Sequence, residues 1–439
     1  MKNTLQKRLR LNSPLLPIVI GLLLVLQLVQ PYKGWVVLLV GFGGVWLVSW
    51  IWARSLIKRL SFRREMRYGW AQVGDQLEER FTLYNRSLFP AIWVEVSDHS
   101  TLPDYFASQT REVGTISMNS WTTRGVCNRR GLFTLGPTSL KTGDPFGIYT
   151  VQMHDPASAS LMVMPPIVPL PSIEVAPGGR AGEGRPRNDA PERTVSSGSV
   201  REYAPGDSLH WIHWRTTARR GVPFVRIFDG TPAGDWWILL DLDERVQAGQ
   251  GWDSTTEHGI ILAASLADRG FRQRRTIGLV ASGDQLVWLP PQSGNGNEAR
   301  RWDILRALAL INPGAYSLCE LLQRTQSSIG KRSSLVIITP SLESEWIEAL
   351  IPLLWRGVVP TVLLLDPRSF GASLQSGSTR KTMATLADMG VSRYLFTKDM
   401  LDRPEARPGK EGQWEWRVTT HGRAIAVRKP TNTSWKVLS

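Results

Sequence analysis

The chain has 439 residues, two cysteines and a formal net charge of +14. A chain of this length is expected to divide into two or three domains, and its two widely separated cysteines exclude a disulfide framework and indicate a reducing compartment. The positive charge points to an anionic partner, either a nucleic acid or a membrane surface, so the position of the cations decides between these classes.

Two uncharged apolar runs near the N-terminus predict a membrane-spanning helical hairpin. PLLPIVIGLLLVLQLVQ and WVVLLVGFGGVWLVSWIWA each approach the ~20 residues that span a bilayer, and only PYKG separates them. A cleaved signal peptide or a buried core hairpin are the alternatives, but a signal peptide leaves the second run unexplained and a core hairpin is expected to carry polar residues at helical spacing. Basic residues flank the pair on both outer sides, so the positive-inside rule predicts that both ends face the cytoplasm. These cations are Lys2, Lys7, Arg8 and Arg10 before the pair, and Arg54, Lys58, Arg59, Arg63, Arg64 and Arg67 after it.

Short alternating runs follow, among them QLEERFTLYN, AIWVEVSD and SWTTRGVCN, separated by Gly, Pro, Asn and Asp. Alternation with a period of two predicts strands with one buried face, and several such runs predict an antiparallel β-sandwich. In the turn GDPFG, Asp144 is expected to accept hydrogen bonds from nearby backbone rather than to act as a catalyst. A stretch rich in Gly, Pro and Ser then predicts a linker over 177–200.

The segment REYAPGDSLHWIHWRTTARRGVPFVRIF, which begins at Arg201, combines turn, helix and strand signals. Pro205 and Gly206 predict a turn, after which Asp207 is expected to cap a helix of about three turns that ends at Gly221. The residues after this glycine alternate as a strand.

Three functions compete for this segment. Asp207, His210 and His213 lie at helical spacing that suits a metal or hydrolytic site, although no further ligand is identifiable by spacing. The arginines and tryptophans suit a nucleic acid, but no nucleic-acid motif surrounds them and membrane attachment argues against a genomic target. A joint between domains, or a docking surface for a protein, uses the same Trp and Arg side chains for packing and ion pairing, and this is the interpretation we favour.

The segment closely resembles the signature of the bacterial domain of unknown function 58 family. The matching positions, together with their neighbours in the predicted interdomain or docking segment, are Arg201, Tyr203, Pro205, Gly206, Asp207, His210, Ile212, His213, Trp214, Arg215, Ala218 and Arg219. The upstream RRGLFTLGPTSLKTGDPFGIY and the two apolar runs are also similar to that family's layout. The resemblance implies a von Willebrand factor A-like domain downstream and partners of two kinds, a MoxR-type AAA+ ATPase and a transglutaminase-like membrane protein. It implies no established activity.

The downstream region independently predicts a doubly wound α/β domain. DWWILLDLDE is an apolar strand that ends in acids, and further strands alternate with helical stretches. A-like domains often bind a divalent cation through Asp-x-Ser-x-Ser after the first strand, whereas this chain has Asp241, Asp243 and Arg245 at those positions. Asp241, Asp243 and Thr339 remain a partial oxygen shell for Mg²⁺, which the arginine opposes electrostatically.

Together these observations predict an α+β multidomain chain. The predicted parts are 1–60, a transmembrane hairpin; 61–175, an antiparallel β-sandwich; 176–232, a linker and the signature segment; 233–403, a doubly wound, von Willebrand factor A-like α/β domain; and 404–439, a C-terminal hairpin.

The sequence contains no Walker phosphate loop, no Gly-x-Ser-x-Gly elbow and no cysteine with a neighbouring histidine. We therefore expect no catalytic residues and no resident cofactor. The predicted function is a multi-pass adaptor of the bacterial inner membrane, with cytoplasmic domains, that docks a MoxR-type ATPase in a chaperone-like or envelope-related assembly. Nucleic acid is not an expected partner. The alternative is a metal-dependent or hydrolytic enzyme with its site at Asp207, His210 and His213.

Overall fold

The structure is a computed structural model that forms two compact units. Unit 1 comprises Met1–Pro165 and Pro404–Ser439, and unit 2 comprises Pro166–Arg403. The described residues are 5–67, 69–176, 197–203, 212–228, 235–292, 297–330, 333–358, 360–372, 378–401, 407–408, 415–418, 424–428 and 435–438.

Unit 1 combines two N-terminal helices with predominantly antiparallel sheets. Its elements are β1 (Gln6–Leu11), α1 (Leu15–Val29), α2 (Lys33–Arg59), β2 (Leu60–Met66), β3 (Trp70–Gln72), β4 (Asp75–Asn85), β5 (Ala91–Asp98), β6 (Gln109–Val113), β7 (Ser117–Val126), β8 (Gly131–Leu135), β9 (Thr138–Gly143), β10 (Tyr149–Asp155), β11 (Ala159–Met164), β22 (Arg407–Pro408), β23 (Glu415–Val418), β24 (Ala424–Arg428) and β25 (Lys436–Val437).

Helices α1 and α2 contact each other and expose most of their apolar side chains. α2 is long and apolar enough to cross a membrane, whereas the apolar helix α1 is shorter. Near its end α2 buries Ser49, Ala53 and Leu56. There Trp52 Nε1 donates to the carbonyl of Pro90 at 3.0 Å, so this half of α2 packs on the strands.

The strands are aligned so that both helices join the same end of unit 1. One five-stranded sheet has the order β1-β10-β9-β5-β6, and the second has β22-β4-β2-β25 with β7 beside β4. In register, Leu11 faces Tyr149, Thr142 faces Val94 and Leu60 faces Asn85. We call this the helix end. Its connections are residues 12–14, 86–90, 114–116 and 144–148.

Asp144 organises one of these connections, as the sequence predicted. Its carboxylate accepts hydrogen bonds from the backbone N–H groups of Phe146, Ile148 and Tyr149 at 3.0, 3.3 and 2.5 Å. Asn12, just before α1, donates its backbone N–H to the carbonyl of Ile148 at 2.9 Å. The turn is therefore tied to the base of α1.

A buried ion-pair cluster lies in unit 1. Arg64 in β2 donates to Glu79 in β4, to Asp98 in β5 and, across to β9, to Thr138 Oγ1. Tyr105 donates its hydroxyl to Glu79 at 2.5 Å. The sequence placed Arg64 among the cations flanking the membrane, but its side chain is 1% exposed and its charge is used inside the fold.

Unit 2 is built on a mainly parallel sheet. Its elements are β12 (Ser197–Glu202), α3 (Trp214–Arg220), β13 (Phe224–Phe228), β14 (Trp236–Asp241), β15 (Gly249–Gln250), β16 (Asp253–Ser254), α4 (Thr255–Arg272), β17 (Ile277–Ser282), β18 (Leu286–Leu289), α5 (Asn297–Leu310), α6 (Leu318–Thr325), β19 (Ser334–Thr339), α7 (Glu345–Trp355), β20 (Pro360–Leu365), α8 (Thr379–Asp388), β21 (Ser392–Phe396) and a 3-10 turn at Lys398–Met400.

The main sheet of unit 2 has the order β18-β17-β14-β19-β20-β21, with β18 antiparallel at one edge. Leu239 and Ile337 belong to a core with residues of α6, α7 and α8 on one face of this sheet. On the other face Gly259 of α4 approaches Leu240. Helices thus cover both faces, and the mixed α/β character predicted from the alternation is confirmed.

The borders of the units differ from those expected. Residues 166–176 pack on unit 2, where Val168 N–H donates to Ser265 Oγ and Ala176 N–H donates to Thr361 Oγ1. The end of the chain returns to unit 1, where β25 pairs with β2. Strands β23 and β24 pair antiparallel as predicted, while the proposed turn at His421 and Gly422 lies outside the described residues.

Candidate functional site

Three parallel strands of unit 2 end side by side in polar residues. β14 ends at Asp241, β17 at Ser282 and β19 at Thr339. Thr339 Oγ1 donates to Asp241 Oδ2 at 2.6 Å, and the amide of Asp243 donates to Asp241 Oδ1 at 3.1 Å. Because parallel strands present their carboxyl ends at the same edge, this is where ligands commonly bind in open α/β sheets.

Asp241 is 2% exposed, and burial of this kind disfavours the ionised form of its carboxyl group. Burial raises the pKa of its carboxyl group to about 7, against the opposing effect of the hydrogen bonds from Thr339 and the Asp243 amide. The negative charge of Asp243 raises the pKa further. Near neutral pH this carboxyl group is therefore divided between its protonated and ionised forms.

Arg245 forms a bidentate ion pair with the carboxylate of Asp243. Its Nε donates to Oδ1 at 2.9 Å and its Nη2 donates to Oδ2 at 2.6 Å, while the Arg245 amide adds a third bond to Oδ1 at 3.0 Å. The Asp243 side chain is 4% exposed, so the arginine neutralises a buried charge. The hydrogen bond and the charge of Asp243 in turn raise the pKa of Arg245.

A cleft of about 310 Å³ opens beside these residues. Besides Asp241, Asp243 and Arg245, its lining includes acids and small polar residues from the first turns of α6 and α7 and from the loops before them, namely Ser317, Cys319, Glu320, Ser341, Glu343 and Glu345. Burial, with the charges of Glu345 and Glu320, raises the pKa of the Cys319 thiol, so this cysteine is a poor nucleophile at neutral pH.

The strand-end residues do not fit a divalent cation. Asp241 and Thr339 are close together, as expected, but both oxygens of Asp243 are engaged by Arg245. A guanidinium at this position repels Mg²⁺ as well as blocking its ligand. Within the described ranges no group of three or more His, Cys, Asp or Glu side chains is arranged to hold a metal ion.

The signature segment forms a small paired unit. β12 and β13 are antiparallel, with Arg201 opposite Val225, and the Tyr203 amide donates to the carbonyl of Pro223 at 2.9 Å. Between the strands α3 ends at Gly221, whose φ of 74° and N–H bond to Thr217 make the C-terminal stop that the sequence predicted.

The start of this helix was predicted wrongly. Ile212 forms an extended bridge to Val225, and His213 has φ −88° and ψ 81°, so the helix begins at Trp214. Pairing of Ile212 with the strand removes it from the helix. The cap is His213, whose Nδ1 accepts from the amide of Thr216 at 3.2 Å and lies 2.7 Å from Thr216 Oγ1.

This cap bears on the metal and hydrolase hypotheses. An Nδ1 that accepts a backbone N–H uses its lone pair there, so it is not available as a metal ligand or a base. Arg201 is described in its backbone alone. Asp207 and His210, the other two residues of the proposed metal or hydrolytic site, lie outside the described residues. So do Pro205 and Gly206 of the predicted turn.

Helix α3 presents an aromatic and basic surface. Trp214 is 70% exposed, and Arg215, Ala218, Arg219 and Arg220 are exposed as well. The side chain of Trp214 is thus largely open to solvent in the signature segment. An exposed Trp beside arginines has the composition of a protein docking site.

Sequence reasoning missed several members of the strand-end site. Ser282, whose hydroxyl accepts from the Leu242 amide at 3.0 Å, and Ser341, Glu320, Glu343 and Glu345 around the cleft were not selected. A hydroxyl residue at the end of a buried strand was the available signal for Ser282, whereas the glutamates come from separate segments and share no spacing pattern.

Comparison with known proteins confirms the family resemblance. Residues 199–377 match the model of a family described as "Protein of unknown function DUF58". An uncharacterised protein of Mycobacterium bovis and one of Mycobacterium tuberculosis are each 22% identical to this chain over 174 residues, which is 39% of this chain and 55% of the relative. The match thus spans little more than half the length of these relatives.

Among solved structures, the conserved hypothetical protein BatB of Bacteroides thetaiotaomicron is 17% identical, with a TM-score of 0.29 over 37% of this chain and 90% of that one. The VWA domain of SpRpn10 is 14% identical, with a TM-score of 0.25 over 38% of this chain and 87% of that domain.

Proposed function

We propose that this chain is a membrane-anchored adaptor on the cytoplasmic side of a bacterial inner membrane, and that it docks a protein partner through the exposed face of α3. The observation that carries the docking role is the 70% exposure of Trp214 beside Arg215 and Arg219. Tryptophan and arginine are enriched among the few residues that contribute most of the binding energy at protein interfaces. The arginines favour an acidic surface on the partner.

The anchoring role is supported by the two N-terminal helices. Their exposed apolar side chains include Leu28 at 83% and Val37 at 71%, a surface that water does not favour. β1 before α1 and β2 after α2 both belong to unit 1. Because one folded unit receives both ends, a bilayer-crossing pair must enter and leave on the same side.

In this proposal α1 and α2 form a transmembrane hairpin, and the two five-stranded sheets of unit 1 form a β-sandwich. The reach of Arg64 from β2 to Thr138 in β9 supports contact between the two sheets. Unit 2 acts as a von Willebrand factor A-like domain. It works without a metal, because Arg245 supplies the positive charge that Asp243 needs.

The partner we propose is a MoxR-type AAA+ ATPase, in a chaperone-like or envelope-related assembly that also includes a transglutaminase-like membrane protein. This choice rests on the resemblance to the family described above.

The docking role is tested by affinity capture of the full chain from membranes in mild detergent with nucleotide. The wild-type chain is expected to retain an AAA+ ATPase and W214A to lose it. W355A is the matched control, since Trp355 is 85% exposed on a different helix, α7. Equal capture by W214A and wild type excludes α3 as the docking site, and capture of no ATPase by the wild type excludes the adaptor role with this partner.

Orientation is tested separately with a protease added outside intact spheroplasts. Both units are expected to be protected until the membrane is permeabilised. Cleavage of unit 2 in sealed spheroplasts contradicts the proposed topology.

A further inference from the structure

The helix end of unit 1 gathers connections from distant parts of the chain. The strand register brings residues 12–14, 86–90, 114–116 and 144–148 to the end where α1 begins and α2 finishes. Contacts tie these connections together. Ser55 of α2 lies 2.8 Å from Ser87 between their hydroxyl oxygens, and the amide of Ile116 donates to the carbonyl of Ser87 at 3.1 Å.

Helix α1 and the part of α2 that precedes its buried residues are both short for the bilayer they are proposed to cross. α1 has 15 residues, which is about 22 Å of helix against a hydrocarbon core of ~30 Å. The part of α2 that precedes its buried residues runs from Lys33 to Ser49 and is about 24 Å long. A hydrophobic length below the bilayer thickness is accommodated by thinning of the bilayer around it, which brings the headgroup layer close to the residues that flank the helices.

The connections at the helix end carry exposed apolar side chains. Leu88 is 68% exposed, Ile116 69% and Phe146 58%. Leu88 adjoins Phe89, whose ring lies 4.8 Å from that of Trp52 in α2. These side chains thus continue the apolar surface of the helices onto the body of unit 1.

Basic side chains surround this apolar surface. Exposed cations on α2 and the neighbouring connections are Arg54, Lys58, Arg59 and Arg86, with Arg10 at the end of β1. The guanidinium of Arg54 lies 5.1 Å from the ring of Trp50, and Trp with Arg is a typical pair at the membrane interface. Trp50 and Arg54 lie two residues before and two residues after Trp52, so this pair is at the level of the connections.

We propose that the helix end of unit 1 is seated in the headgroup layer of an anionic bilayer, with Leu88, Ile116 and Phe146 at the acyl-chain boundary and the cations on lipid phosphates. The inference rests on the proposed membrane anchoring and adds that unit 1 itself is a lipid-binding surface. Apolar burial and attraction to anionic lipid act together at such a surface. Unit 1 is thereby held close to the membrane instead of swinging on its helices.

The experiment places single cysteines in the full chain after replacing Cys127 with Ala and Cys319 with Ser. An environment-sensitive fluorophore is attached at L88C, F146C, V40C or F106C, and the chain is reconstituted in phosphatidylcholine vesicles with and without phosphatidylglycerol. Lipid-attached nitroxide quenchers are placed near the headgroup or at the acyl-chain end. Phe106 is the matched control, because it is 85% exposed between β5 and β6 at the opposite end of the sheet, about 23 Å away.

Seating predicts that the fluorophores at 88 and 146 lose fluorescence to the shallow quencher, more strongly with phosphatidylglycerol, while the one at 106 does not. The fluorophore at Val40, which is 69% exposed on α2, reports anchoring and should lose fluorescence to the deep quencher. If the fluorophore at residue 40 is quenched while those at residues 88 and 146 behave like the one at residue 106, the helices are anchored in the membrane but the helix end is not seated in the headgroup layer. If 40 is not quenched, anchoring itself fails. If the fluorophores at residues 88 and 146 are shielded from aqueous iodide but are not quenched by the lipid-attached nitroxides, a protein and not lipid covers the helix end. This result also overturns the inference.

Discussion

The guanidinium of Arg64 donates to both carboxylate oxygens of Glu79, at 2.9 and 2.6 Å, and neither side chain reaches solvent. Burial by itself lowers the pKa of Arg64, but the hydrogen bonds and charges of Glu79 and Asp98 outweigh it and raise that pKa. Burial and the charge of Glu79 raise the pKa of the Tyr105 hydroxyl, which stays protonated and donates to Glu79. The cluster is therefore a charged network with its partners in place.

Replacing Arg64 should strongly destabilise unit 1. In R64Q the buried carboxylates of Glu79 and Asp98 lose their counter-charge, and breaking one partner of such a pair costs about 3–5 kcal/mol. Chemical denaturation of the reconstituted chain, followed by a unit 1 fluorophore, measures the loss. R63Q is the control, because Arg63 is 46% exposed in its pair with Glu65 and an exposed pair contributes about 0–1 kcal/mol. Equal effects of the two variants contradict this account.

Asp241 should make the stability of unit 2 decrease as pH rises. Its folded-state pKa of about 7 lies above the ordinary value of 3.8, so between these pH values the folded chain retains a proton that the unfolded chain has lost. Its stabilising effect is complete below about pH 4 and is lost as the pH rises through about 7, by an amount on the order of 4 kcal/mol.

D241N should remove this dependence. Asparagine resembles the protonated acid, so at pH 8 the variant is expected to unfold at a higher denaturant concentration than wild type. At pH 4 the two proteins should unfold at about the same denaturant concentration. D399N, which alters an exposed acid in the same unit, should follow the wild type. If the stability of the wild type rises between pH 4 and pH 7 while that of D241N does not change, the pH dependence has the opposite sign and contradicts this role of Asp241.

Mg²⁺ should not stabilise the wild-type chain, because Arg245 holds both oxygens of Asp243. R245S frees this carboxylate and places a hydroxyl at the last position of the Asp-x-Ser-x-Ser pattern. Mg²⁺ at ten times its dissociation constant would then stabilise the variant by about 1.4 kcal/mol, seen as a higher Tm. A rise in the wild-type Tm with Mg²⁺ but not with Na⁺ at equal ionic strength refutes the metal-free interpretation.

The stop of α3 should depend on the backbone of Gly221. Its φ is 74° and no atom lies within 4 Å of an added Cβ, so the cost of G221A is conformational and amounts to about 1 kcal/mol. G221N should cost less, because asparagine tolerates left-handed backbone. Hydrogen exchange at the amides of Gly221 and Phe224 reports the local opening. Faster exchange in G221N than in G221A would contradict this explanation.

Elements governed by neighbours in the chain were predicted well. The apolar runs of α1 and α2, the strand that ends at Asp241 and the stop at Gly221 follow from hydrophobic spacing and backbone preference. The Asp144 turn also follows, since its carboxylate bonds to amides within five residues. The start of α3 was predicted wrongly because a strand partner at Val225 competed with the helix.

The sequence by itself determined the apolar helix pair, the order of the strand-rich region and the region of alternating strands and helices, and the signature segment. The tertiary structure alone decided that Arg64 turns inward to Glu79, that Arg245 neutralises Asp243, that Trp214 stays exposed and that β25 returns to unit 1. The physical reason is that a local pattern reports the period and conformational preference of a segment. The partner of a charge and the burial of an indole depend instead on which distant segments the fold brings together.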